Sequence, residues 1–176
     1  GIEKDDSILD VGCGDLEIVK NLSLKNYTGL DTSTEAVAKG KIKFPSFKFY
    51  NFEAEKEKAE KEDTVICLDV LSHQPAFKKY FELIDFITAK AINRVVVSGY
   101  EKKADNSDMC FFYENIKDSL EKTGRFKYIY KTGEYGGLSV YVADKGRLIE
   151  KKTQNDLNNN IICDSFYGKY IHMVEY

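Results

Sequence analysis

The chain has little with which to hold a metal, cross a membrane or attract nucleic acid. Its four cysteines, Cys13, Cys67, Cys110 and Cys163, stand far apart and form no Cys-x-x-Cys pair. That spacing excludes a cysteine metal site and a dense disulfide scaffold, and no metal is expected. Cys13 and Cys67 fall in or beside apolar, strand-like runs, the ordinary place of a buried free thiol, so a reducing cytoplasm is the expected compartment. No stretch approaches the ~18 consecutive apolar residues of a membrane span, and no signal-peptide pattern opens the chain. Positive charge is not in excess either. The net charge is −3, so no global field recruits nucleic acid or an anionic membrane surface.

What is present is a globular composition: 176 residues, 43% of them hydrophobic. That length suits one domain burying roughly two-thirds of its unfolded surface. Strand and helix signals alternate as in an α/β sheet. Strands are expected at Ser7–Val11, Tyr27–Asp31, Phe47–Tyr50, Thr64–Leu68 and Arg94–Ser98. Helices are expected from about Leu16 to Leu24 behind an Asp15 cap, and after Thr32-Ser33-Thr34-Glu35, whose spacing suits a capping box, with Gly40 as its stop. A further helix has Pro75 at its first position and Phe77, Tyr80, Phe81, Ile84 and Ile87 on its apolar face. Another runs near Tyr113–Thr123 and ends at Gly124. Glu53–Glu62 is almost wholly charged or alanine and reads as a solvated segment. Alternation at Phe126, Tyr128 and Tyr130, then Gly133, Gly136 and Gly137, then Leu138–Val142 reads as a closing hairpin. Beyond Lys145 an Asn-rich stretch precedes a tail with Phe166, Tyr167, Tyr170 and Tyr176, too apolar for a free linker. The expected organisation is a core over residues 1–146 and an aromatic extension over 147–176 packed on it.

The stretch Ile8-Leu9-Asp10-Val11-Gly12-Cys13-Gly14-Asp15 runs an apolar strand into a two-glycine turn, and Tyr27-Thr28-Gly29-Leu30-Asp31 ends the next strand in a carboxylate. This layout holds a nucleoside-bearing cofactor across the carboxyl ends of two parallel strands. The glycines let the backbone approach the ligand, and the carboxylate can accept hydrogen bonds from both ribose hydroxyls. A dinucleotide site needs G-x-G-x-x-G, but the sixth position from Gly12 is Glu17, the wrong charge and shape beside a pyrophosphate. Without a pyrophosphate the requirement suits S-adenosylmethionine.

At these residues the chain resembles the class I S-adenosylmethionine-dependent methyltransferase family. The acid-x-Gly-x-Gly motif of that family is similar to Asp10-Val11-Gly12-Cys13-Gly14, and its second-strand acid to Asp31. Its third-strand element resembles Phe47–Ala54, with Glu53 in place of the commoner Asp. The fourth-strand Asp-x-Val-x-x-x-x-x-Leu-x-His pattern resembles Asp63 to His73. Leu16 departs from the pattern, standing where the family often has glycine and narrowing the room around the methionine end. The resemblance spans about residues 7–142 and implies a Rossmann-like, doubly wound, seven-stranded sheet, mostly parallel with a C-terminal antiparallel hairpin.

The resemblance also implies roles for single residues. Asp10 ties the turn or reaches the cofactor's ammonium, and Gly12, Cys13 and Gly14 pass under the methionine portion. Asp31 grips the ribose, and Thr32 either touches the same ribose or caps a helix. Asn51 or Glu53 addresses the adenine amino group, Phe52 lines the adenine face, and Leu68 and Asp69 present backbone to the amino acid end. His73 is the candidate base, since an imidazole titrates near neutral pH; its other reading is a structural histidine at a helix start. His172 reads as a packing or surface residue. An acceptor pocket is expected from Ser72–Gln74, the loop Gly99–Cys110 and the tail. Tyr100, Phe111, Phe112 and Tyr113 either wall it or belong to the core. The chain begins at Gly1, with almost nothing ahead of the first strand where many relatives carry a substrate-covering helix. That cover is expected upstream or from residues 148–176.

Three functions fit. One is methylation of a small-molecule or carrier-held acceptor at O or N. A second is methylation of protein or nucleic acid, although the Pro-Pro sequence of amino-group DNA methylation is absent (Leu68-Asp69-Val70-Leu71 stands there) and so is a Pro-Cys nucleophile. A third is a non-catalytic binding domain that retains the fold.

Overall fold

The computed structural model describes residues 6–16, 24–103 and 110–146. The helix expected over 16–24 and the extension over 147–176 lie largely or wholly outside them. Seven strands form one sheet: β1 (Ser7–Val11), β2 (Asn26–Asp31), β3 (Lys48–Asn51), β4 (Glu62–Cys67), β5 (Ala91–Gly99), β6 (Tyr128–Tyr135) and β7 (Leu138–Asp144). Their order is β3-β2-β1-β4-β5-β7-β6. The first five are parallel, and β7 pairs antiparallel with both β5 and β6. The chain therefore builds outward from β1 on one side and from β4 on the other. A crevice opens between them at the carboxyl ends of β1 and β4, where such sheets bind ligands.

The apolar runs of the central strands follow from burial on both faces. Leu9, Val11, Val65, Cys67, Val95 and Val97 belong to one core cluster, while Ile8, Ile66, Leu68 and Val96 belong to another. Helix α3 (Phe77–Lys90) contributes Tyr80, Leu83, Ile84 and Ile87 to the first cluster, and α4 (Ile116–Lys122) contributes Ile116 and Leu120. Helix α1 (Thr34–Lys43) contributes Val37 to the second.

Several local expectations shift. Ser33, not Thr32, caps α1, its Oγ accepting from Ala36 N at 3.2 Å. Gly40 does not stop that helix, which runs to Lys43; a Cβ on Gly40 would stand 2.7 Å from the Phe49 ring, so glycine is there to admit Phe49. Pro75 precedes the N-cap Ala76 rather than occupying the first helical turn, and Phe77 is 63% exposed, off the apolar face. The segment after β3 forms a short helix, α2 (Phe52–Glu55), and a 3-10 turn (Lys56–Lys58). The hairpin turn is Gly136-Gly137 alone, at φ 53° and 79°, the two left-handed positions of a type I′ loop. Gly133 lies within β6 at a register shift.

Asp63, which opens the fourth-strand motif, sits at the opposite end of the sheet from the crevice. Its Oδ2 accepts from Ser7 N at 3.1 Å and Ser7 Oγ at 2.9 Å, and its Oδ1 from Asn93 Nδ2 at 2.9 Å. That acid clamps β1, β4 and β5 together and has no place in the crevice. Among the described residues, no helix is long and apolar enough to cross a membrane.

Candidate cofactor and acceptor site

The glycine turn is held by the strand beside it. Gly12 N and Cys13 N both donate to Leu30 O, at 2.7 and 3.1 Å. Gly12 has φ 84°, and a Cβ there would stand 2.2 Å from Val70 Cγ2, so the turn beyond β4 packs directly on the glycine turn. Gly12→Ala combines left-handed strain with an overpacked contact and should cost about 2–4 kcal/mol, read by urea unfolding. Gly14, at φ 51°, faces the other way: among the described residues no heavy atom lies within 4 Å of its missing Cβ. That open space is where a ligand chain can pass over backbone.

Leu16 explains its own departure from the family pattern. Its φ is 66°, the left-handed backbone that glycine adopts freely, and its side chain is 2% exposed within the cluster of Cys13, Tyr27, Phe49 and Leu68. The helix expected from Leu16 does not begin at this residue, because a left-handed residue cannot start an α-helix. Asp15 is an exposed turn residue.

Asp31 ends β2 at the mouth of the crevice. Its Oδ2 accepts from Gly14 N and its Oδ1 from Ser33 N, each at 2.8 Å. An ionised carboxylate offers about four lone-pair sites, so two remain, one on each oxygen. Two free acceptor sites side by side match the two hydroxyls of a ribose. The open Gly14 and the half-satisfied Asp31 thus fit a nucleoside joined to an amino acid chain.

Asp10 lies behind the turn, 4% exposed, with Oδ2 accepting from Tyr27 Oη at 2.7 Å. Burial raises its pKa to about 6, opposed by the Tyr27 hydrogen bond and reinforced by the nearby Asp31 charge. The folded value lies above the unfolded one. The charged form is therefore disfavoured in the fold, and stability present below pH 4 is lost as pH rises through 6. Asp10→Asn should accordingly stabilise the protein at pH 7.5 by up to about 3 kcal/mol, a gain that disappears near pH 4 in urea unfolding. Burial likewise pushes the Cys13 and Cys67 thiols far up, so neither is a nucleophile at neutral pH.

On the adenine side the Asn51 side chain makes two hydrogen bonds. Its Nδ2 donates to Thr32 O at 2.9 Å, and its Oδ1 accepts from Ala54 N at 3.1 Å as the N-cap of α2. Asn51 therefore ties the β2 and β3 loops together. Glu53 is exposed, with Oε1 3.8 Å from Lys79 Nζ. The Thr32 side is exposed too, and Phe52 packs edge-on against Phe86 at 5.3 Å.

Beyond β4, Leu68 is buried in the core, and Asp69 takes a left-handed φ of 57°. Asp69 N donates to Ser98 Oγ at 2.8 Å, and Asp69 Oδ1 stands 3.5 Å from His73 Nε2. His73 closes a 3-10 turn (Leu71–His73) and is exposed. Phe111 N donates to Ser72 O at 2.8 Å and Tyr113 Oη to Gln74 O at 3.0 Å, which brings the aromatic segment alongside His73. The Tyr100 hydroxyl pairs with the Cys110 thiol, and that contact, with burial and the nearby Asp69, pushes the phenol up to about 12. Phe111 and Tyr113 stack at 6.2 Å, and both remain partly exposed, as does Tyr100. Sequence reasoning missed Tyr27, Val70, Ser98 and Tyr135. Only Ser98 left a trace, a hydroxyl at the carboxyl end of an otherwise apolar strand.

A family model described as a methyltransferase domain matches residues 2–162. No curated protein matches the chain in sequence. Among solved structures it is similar to magnesium protoporphyrin IX methyltransferase from Synechocystis PCC 6803 with bound S-adenosylhomocysteine. The TM-score is 0.62 at 20% identity, over 81% of this chain and 75% of that one. An O-methyltransferase family protein from Burkholderia thailandensis gives 0.60 at 12%, over 80% and 51%. A methyltransferase from Methanosarcina mazei gives 0.57 at 15%, over 82% and 94%. At such identities the likeness concerns the fold, whose strand order and crevice are those described above. The family model spans nearly the whole core as well, and the chain belongs to the methyltransferase-domain family of class I S-adenosylmethionine-dependent enzymes.

Proposed function

We propose that this methyltransferase acts on a small-molecule or carrier-held acceptor, at oxygen or nitrogen, with its cofactor seated across Gly14 and Asp31. The observation that carries the seating is the Asp31 carboxylate, fixed by two backbone amides and left with one free acceptor site on each oxygen. The relatives named for a magnesium porphyrin and for O-methyl transfer support a small acceptor. A net charge of −3 and Leu68-Asp69-Val70-Leu71 in place of a Pro-Pro sequence argue against nucleic acid.

When bound, S-adenosylmethionine supplies a methyl group already activated by its sulfonium. The chain's task is then to hold an acceptor in line and to take its proton where the acceptor carries one. Asp31 orients the ribose, Gly14 yields room for the methionine portion, and the turn after β4 borders its amino acid end. His73 is the proposed base. With Nε2 turned toward Asp69 at 3.5 Å, Nδ1 is the nitrogen proposed to take the proton. Tyr100, Phe111 and Tyr113 flank the same end of the sheet and are proposed to wall the acceptor.

Calorimetry with S-adenosylhomocysteine, followed by a screen of small acceptors for its production from S-adenosylmethionine, tests this reading. Absence of cofactor binding by the folded protein refutes the seating. With an acceptor in hand, His73→Ala should bind cofactor normally and turn over about 10²–10⁴-fold more slowly. Undiminished turnover removes His73 from the chemistry.

A further inference from the structure

The turn after β4 bears on the cofactor site through an unusual contact. Asp69 is one of two non-glycine residues with a left-handed φ among those described, and the bend it makes sets Val70 against Gly12 so tightly that no Cβ fits between them. A left-handed Asp is tolerated at some cost in backbone strain, so something outside the turn must hold it. The holder is visible. Ser98, 1% exposed on β5, accepts from Asp69 N at 2.8 Å, and the same oxygen accepts from Tyr135 Oη, also at 2.8 Å. Tyr135 ends β6, immediately before the hairpin turn. One oxygen thus joins the hairpin, the end of β5 and the β4 turn, and through Val70 it reaches the glycine turn.

We propose that Ser98, supported by Tyr135, is a positioning residue for the cofactor's amino acid end. It fixes Asp69 in its left-handed bend, and that bend sets how Val70 and the β4 turn close on Gly12. Neither hydroxyl needs to touch the cofactor. The inference rests on the seating proposed above. It goes beyond that seating by making the fit at the methionine end, and not at the nucleoside end, depend on the hairpin. The ribose and adenine sides hang on Asp31 and on the β2 and β3 loops, which share no hydrogen bond with Ser98.

The two ends can be read separately. S-adenosylhomocysteine engages both, and adenosine only the nucleoside end. Ser98→Ala removes the acceptor of the Asp69 amide and should weaken S-adenosylhomocysteine about tenfold while leaving adenosine within twofold of wild type, by calorimetry and NMR titration. Ser98→Thr, which keeps the hydroxyl, should restore most of the loss. Unchanged affinity for S-adenosylhomocysteine in Ser98→Ala overturns the proposal, and so does an equal loss for both ligands, which marks general loosening. If Ser98→Ala does not fold, Tyr135→Phe takes its place. A loss of about threefold for S-adenosylhomocysteine alone supports the proposal, and no change overturns it. Wild-type protein that binds neither ligand refutes the seating itself, a result distinct from any variant effect.

Discussion

Asp31→Ala is expected to lower affinity for S-adenosylhomocysteine by about 10²–10⁴-fold. Two hydrogen bonds from ribose hydroxyls to a charged group contribute roughly 1.5–3 kcal/mol each, and both vanish with the carboxylate. The substitution also strips Gly14 N and Ser33 N of their acceptors, so the glycine turn and the start of α1 lose their common anchor. A thermal melt should show a smaller companion loss of about 1–3 kcal/mol. Asp31→Asn separates the two effects, since it keeps one carbonyl oxygen for an amide but offers an NH2 where the second acceptor stood. It should recover part of the stability and little of the affinity. Wild-type affinity in Asp31→Ala would end the ribose assignment.

The second large effect lies far from the crevice. Arg94 and Asp144 face each other as register partners on β5 and β7, with Nε 3.4 Å from Oδ2 and side chains 5% and 1% exposed. Asp144 Oδ1 also accepts from Gly146 N at 2.9 Å. Truncating either side chain breaks this buried pair, so Arg94→Ala or Asp144→Ala should each cost about 3–5 kcal/mol in urea unfolding. That is a large part of the ~5–15 kcal/mol that holds a domain of this kind together. Replacing both at once, as Arg94→Met with Asp144→Leu, should recover part of the loss, because it leaves neither charge of the pair buried alone, while Gly146 N still loses its acceptor. A single variant that loses less than about 1 kcal/mol would show that water reaches the pair. The pair is placed where the sheet's one antiparallel strand is laid against β5, and a slip by one residue would turn the alternating side chains of β7 to the wrong face.

Much of the site was legible because its parts are near neighbours in sequence. An apolar run, two glycines and a strand-ending acid state their own geometry. Asp10, Gly12, Gly14 and Asp31 indeed converge at the ends of β1 and β2. The mostly parallel, seven-stranded sheet with a C-terminal antiparallel hairpin that the family resemblance implied is the sheet found. The errors are equally physical. Thr32 and Ser33 are both good caps, and Ser33 takes the place, its Oγ accepting from Ala36 N while Asp31 holds its own amide. Gly40 looked like a helix stop, but its place is set by the Phe49 ring, which a local pattern does not reveal. Phe77 obeys the helical period of its neighbours yet lies beyond the edge of the core, stacked on Phe81 and solvent.

By itself the sequence determined the α/β class, the glycine turn, the strand-ending acid beside it and the family these features mark, because each depends on spacing within a few turns of chain. Only the tertiary structure decided how those pieces are held. Tyr27 donates to the buried Asp10, Ser98 and Tyr135 fix the bend at Asp69, Val70 closes on Gly12, and Arg94 meets Asp144. Each is a contact between strands distant in sequence, and hydrogen bonds and buried charges become specific only once packing has brought their partners within a few ångströms.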